Sequence, residues 1–175
     1  MLTLPTNKVP ATSTNPKFLI IYGRPKSGKT SSLAQLENNL IVDLEGGSTF
    51  IDAMAVQARS ISELGDIASA IRAKNDEVGQ KYYKHITIDN ATRLEEICLP
   101  YAKTLYKQTS VGKNYAGDDV RTLPNGSGYM YIRQAVRKVI DMFKELCEEF
   151  ILVGHVKDVQ IDKDGEEVSE MALDL

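Results

Sequence analysis

Eight consecutive residues, Gly23-Arg24-Pro25-Lys26-Ser27-Gly28-Lys29-Thr30, fit the pattern GxxxxGK[ST]. That spacing is the phosphate-binding P-loop. Main-chain N–H groups of a glycine loop turn inward around a phosphate. The helix opening near Lys29 adds roughly half a positive charge at its N-terminus. Gly23 and Gly28 permit backbone angles and close approach that a side chain would block. Lys29 is placed to reach the β- and γ-phosphates, and Thr30 offers a hydroxyl to Mg²⁺. With Ser31, these residues form the candidate nucleotide-binding set.

Three further side chains stand where they could serve a bound triphosphate. Asp89 closes the apolar run His85-Ile86-Thr87-Ile88. A carboxylate there can hold Mg²⁺ through its water shell, opposite Thr30. Alternatively, Asp89 or Asn90 simply caps the next helix, and the two roles are compatible. Glu45 follows Leu40-Ile41-Val42-Asp43-Leu44 and precedes Gly46-Gly47. It could orient or deprotonate an attacking water, or be a surface acid in a turn. His155 ends the run Phe150-Ile151-Leu152-Val153-Gly154. It reads equally as a γ-phosphate contact and as a solvated strand-end histidine. His85 reads as an ordinary boundary residue.

The elements that must position these groups alternate in type. A buried strand over 18–22 feeds the P-loop, and a helix follows from about 29 to 38. Strands are expected at 40–43 and near 55–58. Ser60-Ile61-Ser62-Glu63 fits a capping box for a helix reaching about Ala73, and 74–80 reads as a polar turn. A strand at 85–89 leads into a helix that Pro100 kinks or interrupts. Residues 109–128 are polar, glycine-rich and long, as functional or disordered loops are. An amphipathic helix over 129–149 buries Ile132, Val136, Val139, Ile140, Phe143 and Leu146. The strand at 150–154 comes next. Then 159–161 and 167–169 flank Asp162-Lys163-Asp164-Gly165 as a β-hairpin. Alternation of this kind predicts an α/β fold, a mostly parallel sheet with helices on both faces. Ligands of such sheets sit beyond the carboxyl ends of the strands, so the P-loop, Glu45, Asp89 and His155 should converge on one edge.

Composition narrows the classes. The 175 residues suffice for one α/β domain, with a loose Pro/Thr/Asn-rich leader over 1–16. The net charge of −3 provides no global attraction to nucleic acid, so any such contact needs a local patch. Lys103, Lys107, Lys113, Arg121, Arg133, Arg137 and Lys138, interleaved with Tyr106, Tyr115 and Tyr129, could track a single strand by charge and stacking, or be a solvated face. Cys98 and Cys147 read as reduced core residues of a cytosolic protein. No apolar run approaches a membrane span, and the N-terminus lacks a secretory apolar region. No NKxD motif appears, which argues against a regulatory GTPase.

The segments LIIYGRPKSGKTS, IVDLEGG, ITIDNATRL and FILVGHVKD together resemble a RecA-like ATPase. More closely, they resemble the phage nucleotide-binding proteins of the Sak single-strand-annealing group, over about residues 17–158. That resemblance implies ATP and Mg²⁺ as ligands. It implies that Lys29 and Thr30 serve phosphate and metal, that Asp89 is the Walker B acid, that Glu45 is the catalytic glutamate and that His155 is the γ-phosphate sensor. It puts the strand ending at His155 between the P-loop strand and the Asp89 strand. It makes 109–128 a DNA-contacting loop and implies single-stranded DNA binding, assembly into rings or filaments, and the cytoplasm of a bacterial host. RecA-like sheets continue beyond the sensor strand, so a chain stopping at Leu175 is expected to be truncated. Two other classes remain: a small-molecule P-loop kinase with 109–128 as its lid, and a nucleotide-binding scaffold without turnover.

Overall fold

The computed structural model describes residues 17–156 in full and the backbone of 157–163 and 166–173. The leader expected over 1–16, and Asp164-Gly165 of the hairpin turn, lie outside the described residues. Five parallel strands form the sheet: β1 (Phe18–Gly23), β2 (Asn39–Asp43), β3 (Ala55–Gln57), β4 (His85–Asp89) and β5 (Glu149–Lys163). Their spatial order is β1-β5-β4-β2-β3, so β5 lies between the P-loop strand and the Asp89 strand. The helices are α1 (Lys29–Leu33), α2 (Ile61–Val78), α3 (Ala91–Lys107) and α4 (Gly128–Lys144). This is the α/β architecture that strand–helix alternation predicts, and the loop of residues 23–30 between β1 and α1 makes it a P-loop NTPase fold.

Period-two alternation assigns the strand residues to two cores. Leu40 and Val42 of β2, Ile86 and Ile88 of β4, and Phe150 and Leu152 of β5 face the large core under α2, α3 and α4. Ile41, Ile151 and Val153 face the other side, where Leu33 of α1 meets them. Phe143 of α4 and Phe150 are fully buried, each contributing about 1.5–3 kcal/mol through its apolar area. Among the described residues, no helix is long and apolar enough to cross a membrane.

Several expectations need correction. β1 is not buried: Phe18, Leu19, Ile20 and Tyr22 are 38–63% exposed. Within the described residues β1 pairs only with β5, so one long side stands at the sheet edge. α1 ends at Leu33 rather than near residue 38. α2 instead runs through the predicted polar turn and stops at Gly79, whose positive φ ends the helix. α3 continues past Pro100 without interruption. Pro100 is on its exposed side, while Leu94, Ile97, Cys98, Ala102 and Leu105 are buried before and after it and hold the helix to the core. α4 stops at Lys144, and Leu146 and Cys147 are buried in the turn that follows.

β5 does not end at His155. It runs fifteen residues to Lys163, and from Val156 onward it pairs antiparallel with β6 (Glu166–Leu173). The expected hairpin is therefore formed by the outer half of β5 itself, with β6.

Candidate active site

Neighbouring strands end side by side. Gly23 of β1 is in register with His155 of β5, and Asp43 of β2 with Asp89 of β4. Parallel strands share one carboxyl edge, so residues distant in sequence arrive there together. A cleft of about 480 Å³ opens on that edge. Pro25 through Ser31 line it from the P-loop, with Asp43, Glu45, Asp89 and His155 from the strand ends; Gly47, Phe50 and Ile51 complete it.

The P-loop takes its shape from its own backbone. Gly28, at φ 84°, is left-handed and caps the first turn of α1. A side chain there would be strained, which is why the pattern demands glycine. The Lys29 ammonium donates to the carbonyls of Gly23 at 2.9 Å and Arg24 at 2.8 Å. It thus lies across the mouth of the loop, inside the cleft.

Thr30 and Asp89, 59 residues apart, meet directly. The Thr30 hydroxyl donates to Asp89 Oδ2 at 2.5 Å. Asp89 is only 7% exposed. Burial raises its carboxyl above the usual range; the Thr30 bond opposes that shift, and the nearby negative charges of Glu45 and Asp43 add to it. The Thr30 hydroxyl and the Asp89 carboxylate, with the Glu45 carboxylate in the same cleft, suit a divalent cation. Among the described residues no three His, Cys, Asp or Glu side chains gather as a metal-binding set. A cation here would therefore draw most of its ligands from water and phosphate oxygens, as Mg²⁺ does.

Two residues at this edge carry more than their sequence signals suggested. Asn90, rather than Asp89, caps α3: its Oδ1 accepts from the Arg93 amide at 2.9 Å. Its Nδ2 lies 3.3 Å from His155 Nε2. With the amide as donor, Nε2 is the acceptor and the imidazole proton sits on Nδ1, a tautomer assigned from this contact. Asn90 is fully buried. By sequence alone it is only a possible cap. By sequence alone Asp43 is merely the last letter of its strand. Its carboxylate is 3% exposed and accepts four hydrogen bonds, from the amides of Glu45, Gly46 and Ser48 and from the Ser48 hydroxyl. Burial alone would raise it, but those bonds outweigh burial and hold it below the usual carboxylate range.

Other candidates lie elsewhere. His85 opens β4 at the end away from the cleft, where it is buried with its Nδ1 3.1 Å from Glu149 Oε2. The segment 109–128 is neither structureless nor detached. It contains two short 3₁₀ turns, buries Val120 and Leu123, and packs Tyr115 against Tyr106, which also meets Tyr131. Lys103 pairs with Asp118, and Arg121 with Asp119. Two cations and two aromatics of the proposed nucleic-acid face are thus engaged internally, and so is the sole arginine a phosphate lid could draw from this loop. Arg133, Arg137 and Lys138 stay exposed on α4, with Tyr129 exposed at its start. The Cys98 and Cys147 thiols are buried, and burial pushes them up to about 12 and about 11.

A family model described as an AAA domain matches residues 15–175. No curated protein matches the chain.

Proposed function

The chain belongs to the AAA domain family, and on that premise we propose that it binds ATP with Mg²⁺ and hydrolyses it slowly with water. The contact that carries this reading is the Thr30–Asp89 hydrogen bond beside the P-loop. It joins the hydroxyl and the carboxylate that P-loop NTPases use around their metal. When bound, Mg²⁺ would be held by the Thr30 hydroxyl and, through its water shell, by Asp89, and would offset phosphate charge. Main-chain N–H groups of 23–31, Pro25 excepted, cradle the phosphates. Lys29 turns from the Gly23 and Arg24 carbonyls to the β/γ-phosphates. Glu45, exposed in the same cleft, orients or deprotonates the attacking water. His155 meets the γ-phosphate through the ring whose Nε2 Asn90 engages.

We further infer that hydrolysis is coupled to single-stranded DNA, in recombination of the phage Sak type and within a homo-oligomer. Two observations support coupling. β5 passes without a break from His155 into the ribbon with β6, so displacement of His155 is carried outward along one strand. Arg133, Arg137 and Lys138 give α4 an exposed basic face. Turnover measured with and without single-stranded DNA tests both parts. Lys29→Ala should abolish ATP binding or turnover, and Glu45→Gln should spare binding and stop hydrolysis. Unchanged turnover in Glu45→Gln removes the base assignment. If DNA binds, log affinity should fall with log salt by about 0.7 per phosphate neutralised. Absence of stimulation and of salt-dependent binding leaves the ATPase alone.

A further inference from the structure

The Glu45 side chain is exposed, yet its backbone is held by a buried group two residues back. Asp43 Oδ1 accepts from the Glu45 amide at 2.9 Å and from the Gly46 amide at 2.7 Å. Asp43 Oδ2 accepts from the Ser48 amide at 2.8 Å and the Ser48 hydroxyl at 2.5 Å. Four donors on one carboxylate wind residues 45–48 into a single turn around it. Asp43 itself is anchored between β3 and β4. Its carbonyl accepts from the Ala58 amide at 3.1 Å, and the next amide, Leu44, donates to the Asp89 carbonyl at 2.7 Å. The same strand end thus touches the backbone of the Asp89 strand and the turn that carries Glu45.

We propose that Asp43 is a positioning residue for hydrolysis: it fixes the Glu45 backbone relative to Thr30 and Asp89 without itself touching phosphate or metal. The proposal rests on the reading of Glu45 as the group that handles the attacking water. Charge and shape both matter to this task. An ionised carboxylate has acceptor capacity for all four donors. An asparagine amide nitrogen turned toward Ser48 would instead face the Ser48 N–H as a second donor, though the hydroxyl can turn to accept; turned the other way it would face the Glu45 and Gly46 N–H groups. Asp43→Asn therefore keeps the volume and breaks one half of the clamp. Ser48→Ala removes only the hydroxyl and leaves three bonds.

A displacement of Glu45 of about 1 Å would cost up to about 100-fold in the chemical step. Nucleotide binding, which rests on the P-loop, should not change. The test compares kcat, the affinity for a non-hydrolysable ATP analogue and the Mg²⁺ concentration for half-maximal turnover in wild type, Asp43→Asn, Ser48→Ala, Glu45→Gln and the Asp43→Asn/Glu45→Gln double variant. The expected result has four parts: a large loss of kcat in Asp43→Asn, a smaller one in Ser48→Ala, unchanged analogue affinity and Mg²⁺ requirement in both, and no further loss on adding Asp43→Asn to the residual rate of Glu45→Gln. A merely structural defect would lower the double variant again. That outcome, a raised Mg²⁺ requirement, or normal kcat in Asp43→Asn would overturn the proposal. If Asp43→Asn does not fold, the Ser48→Ala comparison decides alone by the same criteria. Normal turnover in Glu45→Gln would instead sink the hydrolytic role of Glu45, a failure distinguishable from failure of the clamp.

Discussion

Asn90 joins two strand ends, and substituting it should separate two contributions. In Asn90→Ala the Arg93 amide loses its cap, typically about 1 kcal/mol. The contact with His155 Nε2 goes as well, about 1 kcal/mol more for a net hydrogen bond. Asn90 is fully buried, so solvent does not readily replace either partner. The sum is about 2 kcal/mol, which at a urea slope of about 2 kcal/mol per molar moves the unfolding midpoint down by about 1 M. Asn90→Ser keeps an oxygen that caps a helix but is too short to reach the imidazole. It should lose about half as much. Urea unfolding followed by circular dichroism measures both shifts. The imidazole ¹⁵N shifts add an independent reading, since the chain has two histidines. His155 should show its proton on Nδ1 in wild type and lose that bias in both variants. Equal destabilisation by Ser and Ala would refute the capping account. An unchanged His155 tautomer in Asn90→Ser would refute the bond between strand ends.

Asp89→Asn removes a carboxyl that burial and its acidic neighbours raise. A raised acid contributes stability that is complete below its unfolded value, near 3.8, and is lost as pH climbs through the folded value. In nucleotide-free protein without magnesium, Asp89→Asn should therefore raise the melting temperature at pH 7, with the gain vanishing toward pH 4; a gain that grows on acidification would contradict this. Gly128→Ala would place a Cβ 1.7 Å from the Val120 carbonyl oxygen. Freeing Val120 and Leu123 from burial should cost about 3 kcal/mol or more and open 109–127 to limited proteolysis; a variant as stable and as protected as wild type would mean the segment is not packed here. Neither thiol should react with a disulfide reagent at pH 8 until the protein unfolds, because burial pushes Cys98 up to about 12 and Cys147 up to about 11.

The P-loop was legible because its residues are contiguous: Gly23 to Thr30 shape their loop from their own main chain. The strands were legible too, since short, mainly apolar runs such as Leu40 to Val42 or Ile86 to Ile88 are written over a few neighbours. From those came the sheet type, and from the sheet type the expectation that Glu45, Asp89 and His155 gather at one edge. What the letters leave open depends on partners far along the chain. Asn90 and His155 are 65 residues apart, and nothing in either neighbourhood specifies a bond between them. Asp43 became a clamp only because its strand is flanked on both sides, by β3 and β4, and the fold buries its carboxylate against the turn that supplies its four donors. Pro100 stayed helical, and 109–128 folded down onto α3 and α4, because burial on either side outweighed local breakers. The exposure of β1 came from its place at the edge, which its apolar composition cannot encode. Local pattern determines which element forms and which loop can cradle a phosphate. Burial depends on the whole arrangement of neighbours, and burial decides which polar side chains become fixed parts of the site.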